Sequence, residues 1–459
     1  MTPKAPDQNH KIVFAGGGTA GHIMPGLAVA DALLDLGYTK NDILFMGSQK
    51  GMEKSLVEKA GFETVLYNTK GLLRRISFAN IDAMTKFLFH NGKSFISAYS
   101  YLKKHRPKVL VMLGGYAGFI PSFAAVCLQI PTVVVNVDTA PGLSNRIIGR
   151  FAKVNTLPFA SQKIKRSLVI GTPIAKRVSD LTNFLLSGDE GGRISHLREF
   201  ASDGFLNKLP LGVANDITKE SSLENTDLEF LVLSIMSGSL GAYNINKNIP
   251  DLVLKLGMDD KLKCFAGRIL VYHVVGERDF EEIKSHCFSL RESNVDIAQS
   301  DDSSARFVLL RDEGKKVVFR LEKKGSTLEE SESLFYSEYC VVSYEDKVPE
   351  LLSVTDLFIG RAGASTVAEL VTVGVPSLLI PLPNAPRDHQ RENIKALLRE
   401  KAVCSIDDDR LDQNVLYQIV TDLLLDKERR KQMALSINKF AKKDAAATVA
   451  GLLRLIDAG

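Results

Sequence analysis

Three glycine-bearing stretches of this 459-residue chain combine residue types that handle phosphate, ribose and protons. The first, FAGGGTAGHIMPG at 14–26, ends an apolar run and opens a helical pattern. Gly16, Gly18 and Gly21 fit G-x-G-x-x-G, and Pro25 lies near the start of a helix. Leu27, Val29, Leu33 and Leu36 give that helix its buried side, and Gly37 stops it. A dinucleotide site also requires a carboxylate about 20 residues further on, at the end of the second strand, to hold ribose hydroxyls. That strand ends in LFMGSQ, without a carboxylate, so the pattern speaks against a nicotinamide cofactor. Backbone N–H groups at a helix start still attract an anion. His22, at the rim of the turn, reads either as a plain first-turn residue or as a general base, because imidazole titrates near neutrality.

The second half of the chain offers a companion site. SIMSGSLGAYN places Ser237, Gly238, Ser239 and Gly241 between a strand and a helix, another phosphate-shaped loop. GRAGASTVAELVTVGVP then begins a helix near Gly363, with Ser365 and Glu369 four residues apart on one face. A pyrophosphate resting on that helix start would leave Glu369 to accept two ribose hydroxyls. Thr366 and Glu369 equally fit a capping box. In PRDHQRENIKAL, Asp388, His389, Gln390 and Asn393 either hydrogen-bond a sugar or simply open a polar helix.

The elements around these residues follow a βαβ rhythm. Apolar runs such as KIVFAG, DILFMG, VLVML and TVVVNV alternate with helical patterns, and a similar rhythm restarts at LEFLVLSIM (228–236). Two doubly wound parallel-sheet domains are therefore expected. Val109 to Val137 holds no charged side chain, and roughly 20 apolar residues suffice to cross a bilayer. Three glycines and two prolines break this stretch into strand, loop, helix and strand, and uninterrupted apolar strands suit a sheet covered on both faces. The polar N-terminus MTPKAPDQNH has no signal-peptide core.

The expected division is 1–178 as a first domain, 179–227 as linker or insertion, and 228–441 as a second domain interrupted by an irregular insertion at 278–338. The last stretch, 442–459, is expected to be a helix packing back on the first domain. Residues 1–178 carry 23 Lys and Arg against 9 Asp and Glu, and the remainder 35 against 45. A basic first half points to an anionic surface or substrate. Five scattered cysteines, with no metal-like spacing, argue for a reducing compartment and against a disulfide framework or zinc site. No metal, cofactor or nucleic-acid partner is expected.

Taken together, GGGTAGHIMPGLAVADAL, GMEKSLVEKAGF, GGYAGF, PGLSNR, SGSLGA, RAGASTVAEL and DHQRENIKAL stand in the order and rough spacing of the MurG family. The chain resembles these N-acetylglucosaminyltransferases of peptidoglycan synthesis, within the two-domain GT-B glycosyltransferases, over about 10–178 and 228–440. The resemblance implies an inverting transfer of GlcNAc from UDP-GlcNAc, a substrate rather than a cofactor. The implied acceptor is lipid I, an undecaprenyl-diphosphate-linked muramoyl pentapeptide, and the product is lipid II. It further implies a protein peripheral on the cytoplasmic membrane face, touching anionic lipid through its basic half and meeting other cell-wall enzymes.

Residue by residue, the resemblance puts Gly238, Ser239 and Gly241 by the donor diphosphate. Glu369 takes the ribose, with Ala364, Ser365 and Thr366 alongside. A backbone group at Glu345 reads the uracil, and His389, Gln390 and Asn393 lie at the GlcNAc. Thr19, Ala20 and Gly21 meet the reacting sugar and the acceptor diphosphate, with Asp138 assigned to the same donor end and His22 as base. Gly17, Gly18, Tyr116 and Asn145 fall to the acceptor. The basic and apolar stretch from Lys70 to Phe95, with Arg74, Arg75, Phe78, Phe87 and Phe89, reads as a lipid-docking surface or as an amphipathic helix on the core.

The chain departs from the family pattern in several places. The family's His-Glu-x-Asn appears as Val135, Asn136, Val137 and Asp138, so a carboxylate is lost and an amide becomes an acid. Ala175 stands at an arginine position, with Lys176 or Arg177 as substitutes, and Tyr243 replaces a common arginine. The donor side is therefore better kept than the acceptor side. Another lipid acceptor, a catalytically weak UDP-sugar-binding scaffold and an epimerase of the same architecture stay open as alternatives.

Overall fold

The computed structural model describes residues 10–18, 20–49, 53–68, 81–159, 167–202, 230–238, 241–259, 261–262, 269–292, 305–323, 337–385 and 388–459, with 53, 81–90, 258, 291–292, 305 and 322–323 as backbone only. Thr19, Ser239 and the stretch from Lys70 to Phe78 lie outside the described residues. The chain divides into two compact units. One comprises Met1–Asp180, Gly363–Glu369 and Lys442–Gly459, and the other Leu181–Ala362 and Leu370–Ala441.

In the first unit seven parallel strands form one sheet. They are β1 (Ile12–Gly16), β2 (Ile43–Ser48), β3 (Glu63–Tyr67), β4 (Val109–Gly114), β5 (Thr132–Val135), β6 (Val154–Leu157) and β7 (Ser167–Val169), in the order β3-β2-β1-β4-β5-β6-β7. Successive side chains of a strand point to opposite faces. Val13, Leu44, Leu110 and Met112 accordingly join one buried cluster, and Ile12, Phe14, Ile43 and Val111 another. Both faces are dry, so apolar runs without alternation are what this sheet requires. The stretch 109–137 resolves into β4, a helix at Gly115–Cys127 and β5. Among the described residues no helix is long and apolar enough to cross a membrane. The C-terminal helix Ala445–Ala458 lays Val449, Ala450 and Leu453 into the same cluster as Ile23, Leu27 and Leu33 of the helix Ala20–Asp35. Tyr38 donates to Asp457 at 2.8 Å beside it.

The second unit repeats the plan. Its strands are β8 (Leu231–Met236), β9 (Ile269–Val274), β10 (Ala305–Asp312), β11 (Lys316–Lys323), β12 (Ser337–Val342), β13 (Leu357–Gly360), β14 (Ser377–Leu379) and β15 (Cys404–Ser405). They run in the order β10-β11-β12-β9-β8-β13-β14-β15. Six are parallel, and β10 and β11 add an antiparallel hairpin at one edge.

That hairpin differs from the irregular insertion expected at 278–338. Phe280–Glu292 is helical, and β11 sends Val317, Phe319 and Leu321 at every second position into the core. Val318 is buried too, on the opposite face of β11, so the apolar core of the hairpin is short, and the Lys and Glu around it disguised it. Likewise 179–202 is not merely a linker. Phe184–Ser187 and Glu190–Leu197 are helices, and Ile194, Leu197 and Phe200 cover the second sheet. Arg193 lies between the rings of Phe184 and Phe230, at 3.4 and 3.8 Å from their centroids, and pairs with buried Asp356.

Candidate active site

Each sheet reverses its strand order at one point, and open parallel sheets bind ligands at the carboxyl ends of the strands there. In the first unit that point lies between β1 and β4, whose Gly16 and Gly114 are register partners. Gly17 and Gly18, at φ of 141° and 92°, turn the chain from β1 into α1 (Ala20–Asp35). His22 is the third residue of α1 and half-buried. Across from it Gly114 and Gly115, at φ of 109° and 72°, lead into α2 (Gly115–Cys127), which Tyr116 helps open.

The two turns touch. A methyl placed on Gly114 would sit 2.9 Å from His22 Cδ2, and one on Gly115 would sit 2.3 Å from the Gly17 carbonyl oxygen. Gly115→Ala therefore combines left-handed strain with a backbone clash, and is expected to destabilise the fold by about 2–4 kcal/mol. Gly451→Ala, in an open helical position, should instead stabilise by about 0.5–1 kcal/mol. Thermal melts of the two variants check the contrast, and equal shifts would contradict it.

Asn145, in α3 (Leu143–Ile148), closes the far side. Asn136 Nδ2 donates to the Thr156 carbonyl at 2.9 Å, which turns its Oδ1 toward Asn145; Asn145 Nδ2 donates there at 2.9 Å. This chain fixes both amides, since a carbonyl can only accept. His22, Tyr116, Asp138 and Asn145 all line one cavity of about 250 Å³. Position 136, a mere departure from the family pattern in sequence, is the residue that holds Asn145. Its signal was present as an amide in an otherwise apolar strand end.

In the second unit the reversal lies between β8 and β13, with Met236 and Gly360 paired in register. Ser237, Gly238 and Gly241 follow β8, both glycines at positive φ. The helix α4 (Ala364–Val373) follows β13, and its first part, with Ser365, Thr366 and Glu369, belongs to the first unit. Burial pushes the Glu369 carboxyl up to about 7, with Arg177 opposing. The side chain keeps partial solvent access.

Glu345 accepts from the Tyr272 hydroxyl at 2.6 Å and from the Lys347 backbone N–H at 2.8 Å. Its carboxylate thus shapes its own loop. Two amides chosen for the sugar already serve the protein's frame. Gln390 Oε1 accepts from the Leu382 N–H at 2.8 Å, and Asn393 Nδ2 donates to the Ala362 carbonyl at 3.3 Å. His389 opens the helix His389–Arg399 just after Asp388, a residue in left-handed conformation. Among the described residues no cluster of His, Cys, Asp and Glu has a metal-ligating arrangement.

Two doubly wound sheets, each followed at its strand-order reversal by a glycine turn and a helix start, make a two-domain α/β protein of the Rossmann-like class. The model of the glycosyltransferase family 28 N-terminal domain matches residues 12–155, and that of the family 28 C-terminal domain matches 307–449. Together they span more than half of the chain, which belongs to glycosyltransferase family 28.

Curated relatives extend over nearly the whole length. The UDP-N-acetylglucosamine--N-acetylmuramyl-(pentapeptide) pyrophosphoryl-undecaprenol N-acetylglucosamine transferase of Carboxydothermus hydrogenoformans is 28% identical, covering 97% of both chains. The same-named enzyme of Desulforamulus reducens is 27% identical, covering 96% of both. Among solved structures, MurG of Acinetobacter baumannii superposes with a TM-score of 0.64 at 21% identity, over 97% of this chain and 99% of that one. That likeness speaks for the fold.

Proposed function

We propose that this chain transfers GlcNAc from UDP-GlcNAc to undecaprenyl-diphosphate-linked muramoyl pentapeptide, with inversion at the anomeric carbon. The names of its full-length relatives support the substrates. The observation that carries the reading is the cavity of the first unit, where His22, on the first turn of a helix, faces two abutting glycine turns and a fixed Asn145. An acceptor hydroxyl placed there loses its proton to His22 as its oxygen attacks the anomeric carbon. The bond from that carbon to the UDP oxygen breaks, and UDP leaves with the electron pair.

Charge developing on UDP is offset by the backbone amides of the loop after β8 and by the start of α4. Glu369 accepts from the ribose hydroxyls, and the backbone near Glu345 reads the base. The glycine turn at 17–21 receives the acceptor diphosphate, with Tyr116 and Asn145 at its side. The protein would work at the cytoplasmic membrane face, its basic first half against anionic lipid.

The test is release of UDP from UDP-GlcNAc with a lipid I analogue, product identified by mass. Turnover that requires the analogue is expected. Binding of UDP-GlcNAc without turnover would point to a scaffold, transfer only to a diacylglycerol to another lipid acceptor, and acceptor-free conversion to the C2 epimer to an epimerase. Each of these would overturn the proposal.

A further inference from the structure

One oxygen on the wall of the first unit's cavity is left over, and its orientation is fixed from behind. Asn136, the residue after β5, is buried, and its backbone N–H and its Nδ2 both donate to the Thr156 carbonyl, at 3.2 and 2.9 Å. A carbonyl only accepts, so the Asn136 amide has one orientation and its Oδ1 is free to accept from Asn145. Asn145 must meet that oxygen with Nδ2, which it does at 2.9 Å. Asn145 Oδ1 is then the remaining end of the chain. Among the described residues no group donates to it, yet it is not sealed from solvent, and it opens on the cavity that Asn145 lines.

The sign of that atom decides what it can meet. A carbonyl oxygen attracts the hydrogen of a hydroxyl and repels the oxygens of a phosphate. It therefore suits a neutral donor of the acceptor and not the diphosphate. It also lies close to His22. A methyl built on Gly114 would sit 3.3 Å from Asn145 Oδ1 and 2.9 Å from His22 Cδ2, so the oxygen and the ring flank one point. Position 114 carries no side chain to separate them, and a single sugar ring reaches both. Muramic acid has free hydroxyls at C4 and C6, because its lactyl ether occupies C3. With the C4 hydroxyl as nucleophile, the C6 hydroxyl is the donor left beside it.

We infer that Asn145 is a specificity-determining residue that accepts the hydrogen of the acceptor sugar's unreacting C6 hydroxyl, and that Asn136 is the positioning residue that turns the Asn145 oxygen toward it. The inference rests on the acceptor proposed above and names the group of that acceptor which this wall of the cavity reads. Asn136 acts through Asn145 and touches no substrate. Its side chain can be removed without orphaning Thr156, whose carbonyl keeps the Asn136 backbone N–H.

The experiment is steady-state kinetics of wild type, Asn136→Leu and Asn145→Leu with a lipid I analogue and with the same analogue lacking the C6 hydroxyl. Wild type should lose about tenfold or more in kcat/KM on the deoxy analogue, because a built acceptor is left without its hydrogen. In both variants the two analogues should differ by no more than about twofold, since no oriented oxygen remains to tell them apart. A merely structural role would lower both rates together and leave their ratio at the wild-type value. Equal use of the two analogues by wild type overturns the inference, and so does an Asn145→Leu enzyme that still discriminates. Discrimination kept by Asn136→Leu overturns the positioning role, and if that variant does not fold, the wild-type and Asn145→Leu ratios still decide the rest. Wild type that turns over neither analogue would instead remove the acceptor reading beneath it.

Discussion

His22→Ala lowers turnover by about 10²–10⁴-fold, the usual range for losing a general base, while UDP affinity stays within about twofold. The asymmetry follows from position. His22 lies in the cavity of the first unit, beside Gly114 and on the same lining as Asn145, whereas the donor residues follow β8 and β13 of the other sheet. Removing the ring takes away the proton acceptor and leaves the loop after β8 and the start of α4 as they were. Small imidazoles added to the variant should restore part of the rate, since the deleted ring leaves room beside two glycines. Steady-state rates with lipid I analogue, paired with UDP titrations, check both halves. Unchanged turnover would take His22 out of the mechanism, and a parallel loss of UDP affinity would make it a structural residue.

Glu369→Gln weakens UDP binding by about 10–100-fold, the worth of hydrogen bonds to an ionised acceptor, and at the same time makes the protein more stable at pH 8. Burial raises the Glu369 carboxyl to about 7 from an ordinary value of 4.5. Between those values the folded chain holds a proton that the unfolded chain has released. Stability therefore falls as pH rises from about 4.5 to about 7 and is flat above. Solvent access to the side chain reduces the amplitude. Glutamine removes that titration, so the variant's melting temperature should drop less than that of wild type between pH 5 and pH 8.

Two ribose hydroxyls need the ionised form, so wild-type UDP affinity should climb through pH 7 while that of the variant stays level. The capping-box reading of Thr366 and Glu369 does not survive the structure: α4 starts at Ala364, so Thr366 lies inside the helix and not at its N-cap. Equal UDP affinity in the variant would show that Glu369 does not hold the ribose.

Much of the fold was legible because its determinants are local. The runs IVFAG, ILFMGS and VLVMLG are apolar throughout, as strands buried on both faces must be, and they became β1, β2 and β4. The hairpin of β10 and β11 was missed because a short apolar core in a Lys-rich segment is a weak local signal. The candidate site was half legible. Glycines that open a turn are marked by residue type, and so is a histidine that follows one. What those residues face is not, because His22 and Gly114 are brought together only by β4 lying next to β1.

By itself the sequence determined the two parallel-sheet domains and the glycine turns at strand ends, and its motifs carried the family resemblance. The first two depend on backbone freedom or burial that a residue's own type and near neighbours decide. Tertiary structure alone decided that Asn136 holds Asn145 and that Asn246 joins Ser237, His273 and Asp279. A hydrogen bond needs its partner within about 3 Å and correctly aimed. For groups on different strands and helices, only the order of strands in the sheet can supply that.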